Sequence, residues 1–269
     1  MARAGVIALV GDAEIAFDDV GSGLPVVFLH ACPLNRTMGD PQVSALVADC
    51  RCIPIDMRGF GDSAVVGPYS VDQFADDVAG VLDTLQIERA VMIGLSMGGY
   101  VAFALWRRHR ARVRAFVLAN TRSTADTIET VERRRSMIDA AEEHGSAAVA
   151  NMQIAGLMGK TTRDKRPDVY DAIHRMMSQA PGDGVIGTLE ALIRRPDSTP
   201  ILGTIDVPTL VVAGDEDVIT PTRELRALHA AIAGSRLEVL RQAGHLSNVE
   251  RPAAFNTIVS EFLGRLMYN

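Results

Sequence analysis

The sequence predicts an α/β protein with a doubly wound, mostly parallel sheet, and the pattern of its apolar runs is the first reason. Six short runs are nearly continuous in Val, Ile and Leu, as expected for strands that are buried on both faces of a parallel sheet. The predicted strands of this kind are 26–30, 51–56, 90–95, 115–120, 209–214 and 237–241.

Helical patterns between these runs are the second reason. Residues 70–85 begin with Ser70, a good N-cap residue, and continue with apolar residues at helical spacing. Residues 98–110 and 223–232 show a similar helical pattern. Strand–helix–strand order implies right-handed crossovers and therefore a doubly wound sheet. Residues 5–20 resemble a hairpin that precedes this sheet.

A long segment without any strand-like run interrupts the alternation. From residue 122 to residue 205 the sequence contains only helical patterns, which predicts a helical insertion after the sixth strand. The expected organisation is a core domain of residues 1–121 and 206–269 with an insertion of residues 122–205. The methionines of the insertion either line an adaptable apolar pocket or only pack its own core: Met137, Met152, Met158, Met176 and Met177.

Composition and charge exclude several classes of protein. The formal net charge of −6 argues against a nucleic-acid partner, and no apolar run reaches the roughly 18 residues of a membrane span. The N-terminal stretch does not develop into a signal peptide. Cys32, Cys50 and Cys52 are odd in number and show no metal-type spacing. We therefore expect a cytoplasmic protein that uses no metal and no cofactor; a homodimer is compatible with the sequence.

The segment GLSMG, residues 94–98, is the strongest chemical signal. Ser96 lies directly after a predicted strand and before a predicted helix, with Gly94 and Gly98 two residues to either side. A turn this sharp strains the serine backbone, leaves no room for flanking side chains and lifts the hydroxyl above the sheet edge. Glycine-rich turns of dinucleotide-binding folds have a different spacing and lie near the first strand. Ser96 is therefore predicted to be a nucleophile.

A serine nucleophile requires a histidine base and an acid, here in the chain order serine, acid, histidine. Of the six histidines, His245 follows the last predicted strand in a short loop from which its ring can reach the carboxyl edge of the sheet. The loop after strand 209–214 offers Asp215, Glu216 and Asp217, and we choose Asp217 as the acid that orients the imidazole. Asp126 is a distant alternative.

Two backbone amides are predicted to form the oxyanion hole. The amide of Met97, directly after the nucleophile, is one donor, and the amide of Cys32, in the loop after strand 26–30, is the second. The thiol of Cys32 is a weaker alternative nucleophile, because only His30 is a nearby candidate for lowering its pKa.

The chain resembles the α/β-hydrolase fold superfamily along nearly its whole length. The resemblance rests on FLHACPLNRTM, DMRGFGDS, GLSMGG, LANT, AGDEDVITP and AGHLSNVERPAAFN. It implies the roles given above for Ser96, Asp217, His245, Met97 and Cys32, and it implies that the helical insertion forms a cap over the active site. Within the superfamily the motifs look most like those of 3-oxoadipate enol-lactonases and related small esterases, with cofactor-free haloperoxidase-like perhydrolases as neighbours.

Two positions depart from the pattern of these relatives. Ala31 replaces the usual glycine after the first-strand histidine, which matters only if that backbone needs a positive φ. Gly39 stands where relatives often carry tryptophan, and the lost ring is expected to widen the entrance of the pocket or to leave part of it to cap residues.

The expected function is that of a serine hydrolase that cleaves a carboxylic ester with small to medium apolar groups, acting on a small-molecule ester or lactone. The residues expected to contact the substrate are His30, Ala31, Met137, Leu157, Met158 and Met176. Enol-lactonase, other lactonase and perhydrolase activities are alternatives, and a ligand-binding protein without catalysis is a remote one. An enol-lactonase would need cations in the pocket to hold a carboxylate, for which Arg133, Arg134, Arg135 and Arg175 are candidates, although arginines on helices more often face solvent.

Overall fold

Within residues 5–267, which the computed structural model describes, eight strands form a single sheet. They are β1 (Val6–Val10), β2 (Ala13–Phe17), β3 (Leu24–Leu29), β4 (Cys50–Ile55), β5 (Ala90–Leu95), β6 (Val113–Ala119), β7 (Thr209–Gly214) and β8 (Arg236–Leu240). Their order across the sheet is β1-β2-β4-β3-β5-β6-β7-β8. The hairpin β1–β2 joins the sheet antiparallel, whereas β3 to β8 pair in parallel. The predicted fold class is confirmed; residues 1–4 and 268–269, at the ends of the predicted core domain, lie outside the described residues.

Eleven α-helices lie in the described range. They are α1 (Asp40–Leu46), α2 (Val71–Thr84), α3 (Met97–His109), α4 (Ile128–His144), α5 (Ser146–Leu157), α6 (Lys160–Lys165), α7 (Pro167–Ser178), α8 (Gly182–Arg194), α9 (Thr222–Ala231), α10 (Ser247–Glu250) and α11 (Pro252–Met267). Short 3₁₀ turns occupy Arg36–Gly39, Arg110–Arg112 and Thr199–Thr204. The Ser70 side chain caps α2 by accepting a hydrogen bond from the Gln73 amide at 2.9 Å, as its residue type predicts.

The five helices α4 to α8 all lie between β6 and β7, and the structure describes this stretch in full without a strand. The predicted helical character of residues 122–205 agrees with this order of elements. Glycine at 145 has φ +74°, a conformation that suits glycine, and it separates α4 from α5. The insertion is therefore a group of helices connected to the sheet at the carboxyl end of β6.

The strands are covered on both faces. In β3, Val27 and Leu29 belong to one buried apolar cluster, whereas Val26 and Phe28 belong to another. Successive side chains of a strand point to opposite faces, so a strand that is apolar at every position needs packing partners on both sides. This is why the sequence shows continuous rather than alternating apolar runs.

The topology places one edge of the sheet in position for a site. From β3 the chain crosses to β4 on one side and later reaches β5 on the other, with Leu29 of β3 paired to Gly94 of β5. Ligands of doubly wound sheets bind at the carboxyl ends of the strands where the strand order reverses in this way. The loop after β3, which contains Cys32, therefore starts beside the turn that contains Ser96.

The described residues also show whether the chain has membrane-spanning helices, metal-binding clusters or disulfides. Among residues 5–267 no helix is long and apolar enough to cross a lipid bilayer. The same range contains no group of three or more His, Cys, Asp or Glu side chains placed to hold a metal ion. All three cysteines are free thiols, and Cys50 and Cys52 are buried in the core.

Candidate active site

Ser96 lies on a strained turn between β5 and α3. Its backbone has φ 55° and ψ −111°, in the region that side chains with a Cβ rarely occupy. A Cβ at Gly98 would lie 2.1 Å from the Leu29 carbonyl oxygen, and one at Gly94 would lie 2.4 Å from the Gly98 carbonyl oxygen. Both positions therefore need glycine because backbone from neighbouring segments packs against them. The turn has the form that exposes a serine hydroxyl at the top of an α/β sheet.

His245 and Asp217 form a buried pair near the same sheet edge. The distance between His245 Nδ1 and Asp217 Oδ2 is 2.9 Å, and only 1% of His245 is exposed. Asp217 also accepts hydrogen bonds from the amides of Ile219 and Thr220 and from the Thr220 hydroxyl. Burial acts to raise the pKa of Asp217, but the charge of His245 and these hydrogen bonds outweigh it and lower the pKa to about 2. The carboxylate is thus ionised across the neutral pH range and can orient the imidazole.

The other acids considered from the sequence contact different groups. Asp215 accepts hydrogen bonds from the Gln242 and Ala243 amides, and Glu216 accepts two from Thr161. Asp126 pairs with Arg134 and Arg195 instead. Of the candidates, Asp217 is the one that meets His245.

Asn120, at the carboxyl end of β6, is a site residue that sequence reasoning missed. Its Nδ2 donates to Asp217 Oδ2 at 2.9 Å and to the Gly244 carbonyl at 3.2 Å, while its Oδ1 accepts from the Ser247 hydroxyl. Its φ of 46° lies in the left-handed region that asparagine tolerates better than most residues. The available signal was a polar side chain directly after a buried strand, which the sequence analysis did not use.

Ser96 and His245 line one cavity with a volume of about 150 Å³. Its walls include four further residues predicted for the site: Cys32, Met97, Met137 and Leu157. Met152 and Val218 also line it and are 48% and 72% exposed, which places the mouth of the cavity on their side. The predicted nucleophile and the predicted base therefore line the same cavity as Met137 and Leu157 of the helical insertion.

Four of the residues predicted to contact the substrate do not line this cavity: His30, Ala31, Met158 and Met176. His30 is buried and accepts a hydrogen bond from the Met57 amide at 3.0 Å, while the Ala31 amide donates to the Met38 sulfur. Met158 and Met176 pack in the apolar cluster on one face of the sheet and its surroundings. Methionine in a helical segment is first a core filler, and periodicity alone does not show which apolar side chain faces a cavity.

The backbone amides of the two predicted oxyanion donors have no acceptor among the described residues. Cys32 and Met97 both line the cavity, and within the described range neither backbone amide donates a hydrogen bond to another group. Met97 is the first residue of α3, where amides have no acceptor inside the helix. Burial raises the pKa of the Cys32 thiol to about 12, against a smaller opposing effect of Arg134, so the thiol stays protonated.

The two departures from the pattern of the relatives have different outcomes. Ala31 does not have a positive φ, so alanine fits there without strain. Gly39 borders a separate small cavity of about 20 Å³ next to Phe28, not the cavity of Ser96. Gly39 therefore does not line the entrance of the active-site cavity, whereas residues of the insertion do line that cavity, in line with the second alternative.

The cavity is also charged, as the sequence analysis expected only for the enol-lactonase alternative. Arg122, Arg133 and Arg134 all line it. Arg134 donates to Asp126, but in the part of the chain that the structure describes neither Arg122 nor Arg133 forms an ion pair. Burial and the charges of Arg134 and Arg122 lower the pKa of Arg133. Arg133 and Arg134 of α4 and Arg122 in the segment before it thus contribute to the cavity wall, although Arg133 is also exposed to solvent; Arg135 and Arg175 do not line the cavity.

A serine on a strained strand-to-helix turn at the carboxyl edge of a doubly wound sheet is the nucleophile-elbow arrangement. The chain belongs to the α/β-hydrolase fold family, whose model matches residues 25–252. Among curated proteins it is 31% identical over 241 residues to 3-oxoadipate enol-lactonase 2 of Acinetobacter baylyi, covering 89% of this chain and 88% of that one. It is also 31% identical over 257 residues to the pimeloyl-[acyl-carrier protein] methyl ester esterase of a Neisseria meningitidis strain, covering 88% and 93% of the two chains.

Solved structures show the same relationship. A thermophilic esterase from Thermogutta terrifontis with malate bound is 36% identical, with a TM-score of 0.94 over 99% of this chain and 100% of that one. The enol-lactonase from Burkholderia xenovorans is 32% identical, with a TM-score of 0.90 over 96% and 100% of the two chains. The predicted resemblance to the superfamily and its lactonase-like branch is thereby confirmed.

Proposed function

We propose that this chain is a serine hydrolase that cleaves carboxylic esters or lactones through an acyl-enzyme. The observation that carries the proposal is that Ser96 and His245 line one cavity while the ring of His245 is held by Asp217 at 2.9 Å. A hydroxyl becomes a nucleophile only when a base removes its proton, and an imidazole held by an ionised carboxylate is suited to that task.

The proposed reaction has two steps. His245 takes the proton of Ser96 as the oxygen attacks the substrate carbonyl, and the amides of Met97 and Cys32 stabilise the oxyanion. His245 then gives its proton to the leaving alkoxide, which departs as the alcohol. Water attacks the acyl-enzyme in the same manner and releases the acid, with Ser96 regaining its proton.

Residues 122–205 act as a cap over this site, on a core of residues 1–121 and 206–269. Met137, Leu157, Arg133 and Arg134 support this role, since all four come from the insertion and line the cavity together with Ser96. Residues of the cap therefore contact the substrate and decide which groups fit.

The arginines favour a substrate that carries a carboxylate beside the scissile ester or lactone. Neither Arg122 nor Arg133 forms an ion pair in the described structure, although the charge of Asp126 acts on both. The planar guanidinium group matches the geometry of a carboxylate. The similarity to enol-lactonases and to an esterase with malate bound agrees with this substrate class. It replaces the apolar substrate expected from the sequence.

The hydrolase proposal is tested with Ser96→Ala. Hydrolysis of p-nitrophenyl butyrate by the wild type is expected to fall by on the order of 10⁴-fold or more in this variant, because no nucleophile remains. A wild type without turnover on any of a panel of esters and lactones, or a variant as active as the wild type, would contradict the proposal.

The substrate class is tested with matched pairs. Monomethyl succinate differs from methyl butyrate in having a carboxylate in place of the terminal methyl group, and the same comparison applies to a γ-lactone with a carboxymethyl or an ethyl substituent. The wild type should prefer the anionic member, and Arg133→Gln should reduce that preference about tenfold, the size of one charged hydrogen-bonding contact. Arg135→Gln is the control, because Arg135 lies on the same helix outside the cavity. If the wild type and Arg133→Gln show the same preference, the proposed carboxylate-bearing substrate is wrong, but the proposed serine hydrolase activity is unaffected.

A further inference from the structure

The loop that carries His245 is held by a carboxylate outside the proposed triad. Glu250, at the end of α10, is only 3% exposed. Its Oε1 accepts a hydrogen bond from the Leu246 amide at 3.2 Å and lies beside Gly244, 2.9 Å from where a Cβ of that residue would be, so that its carboxylate also interacts with the Gly244 amide. Glu250 therefore contacts the backbone immediately before and after His245.

The same carboxylate holds the helical insertion. Glu250 Oε2 accepts hydrogen bonds from the Gly159 amide at 2.9 Å and from the Thr162 hydroxyl at 2.6 Å. None of the described residues gives Glu250 an ion pair, so its buried charge depends on these four donors. Burial raises the pKa of Glu250, and the four hydrogen bonds oppose that effect.

We call residues 157–162, from the last residue of α5 into the first turn of α6, the strap. The strap contacts the His245 loop again where the His245 amide donates to the Leu157 carbonyl at 3.0 Å. Glu216, beside Asp217, accepts hydrogen bonds from the amide and hydroxyl of Thr161. A Cβ at Gly159 would lie 2.7 Å from the Gly244 nitrogen, so the strap and the loop pack backbone against backbone.

We propose that Glu250 is a positioning residue that fixes the His245 ring for proton transfer by bonding the amides on both sides of it and anchoring them to the strap. The inference rests on the proposed function, in which His245 is the base. Three consecutive amides, at 244, 245 and 246, have fixed acceptors, and Asn120 holds the Gly244 carbonyl. With the backbone fixed in this way, the ring cannot leave Asp217 by a movement of its loop. The strap stays in place during turnover, and substrate enters on the side of Met152 and Val218.

The proposal is tested with Glu250→Leu, which removes all four acceptor contacts, and with the matched control Glu216→Leu, which removes the contacts to the strap alone. Glu250→Leu should lower kcat about 30-fold or more with KM changed less than about threefold, because small displacements of a catalytic group cost this much. Glu216→Leu should keep kcat within about threefold of the wild type. Glu250→Gln should recover only part of the lost kcat, since its carbonyl oxygen can still accept from the amides of 244 and 246 and its NH₂ group can donate to the Thr162 hydroxyl, whereas the Gly159 amide loses its acceptor.

Two spectroscopic measurements do not depend on turnover. The downfield proton resonance of the hydrogen bond between His245 and Asp217 should disappear in Glu250→Leu and persist in Glu216→Leu. In the wild type, hydrogen exchange at the amides of Gly244 and Leu246 should be as slow as at His245. Rapid exchange at Gly244 and Leu246 would overturn the proposal even if Glu250→Leu fails to fold. So would an unchanged kcat in Glu250→Leu, or an equal loss of kcat in Glu216→Leu; absence of any turnover in the wild type would instead overturn the hydrolase proposal alone.

Discussion

Arginines occur in two settings in the molecule, buried in the core and lining the cavity, and their partners differ. In the core, both Nε and Nη2 of Arg58 donate to Asp77 at 2.7 Å, and Arg36 binds Asp18, Asp56 and Asp62. At the cavity, Arg122 and Arg133 face Ser96 without an ion pair in the described structure. The core arginines therefore have a structural role, whereas Arg122 and Arg133 carry positive charge without an ion pair, which a bound ligand can neutralise.

Asp126 neutralises part of the positive charge near the cavity. It binds Arg134 and Arg195 together, and Arg195 also stacks over the Tyr100 ring at 4.2 Å. A single carboxylate thus neutralises part of the positive charge near the cavity and fixes Arg134 in place. The charge that remains is concentrated on Arg122 and Arg133.

The largest effect is expected from breaking a pair in the core. Arg58→Met leaves Asp77 buried without its partner, which should lower the free energy of unfolding by about 3–5 kcal/mol. The control is Arg108→Met, which breaks the more exposed pair with Asp76 and should cost less than about 1 kcal/mol. Urea unfolding followed by circular dichroism measures both. Equal losses in the two variants would mean that the core pair has no special role.

An intermediate effect is expected from the buried charge of Asp217. Its pKa in the folded protein, about 2, lies below the value of roughly 3.9 in an unfolded chain, so the stabilisation is present above about pH 4 and is lost as the pH falls through 2. The wild type should lose about 2 kcal/mol more than Asp217→Asn between pH 5 and pH 2. Unfolding measured across this range tests the expectation, and parallel curves for the two proteins would contradict it.

The smallest effect on stability is expected at the cavity. Arg133→Gln should change the free energy of unfolding by less than about 0.5 kcal/mol, or raise it slightly, because the substitution breaks no ion pair and relieves repulsion from Arg122 and Arg134. Thermal unfolding beside Arg58→Met is the measurement. A loss as large as that of Arg58→Met would assign Arg133 to the structural group and remove the contrast between the regions.

The strands and the turn at Ser96 could be predicted from the sequence alone, and so could Asp217 and His245 as the candidate acid and base. Each of these depends on a local pattern or on order along the chain: a continuous apolar run, glycines two residues on either side of a serine, or a polar residue in the loop after a strand. Parallel strands bring the ends of such runs to one edge, so local patterns become neighbours through the topology alone.

The helical side chains that line the cavity could be identified only from the packing of the folded chain. Met158 is buried and Met176 packs against the same apolar cluster, Arg122 was not considered, and Arg133 and Arg134 of α4 line the cavity whereas Arg135 does not. The contacts of Asn120 and Glu250 likewise join segments more than 85 residues apart. Periodicity shows that a helix has a buried face, but it does not show which neighbour that face meets. The packing of distant segments decides which side chains reach the site.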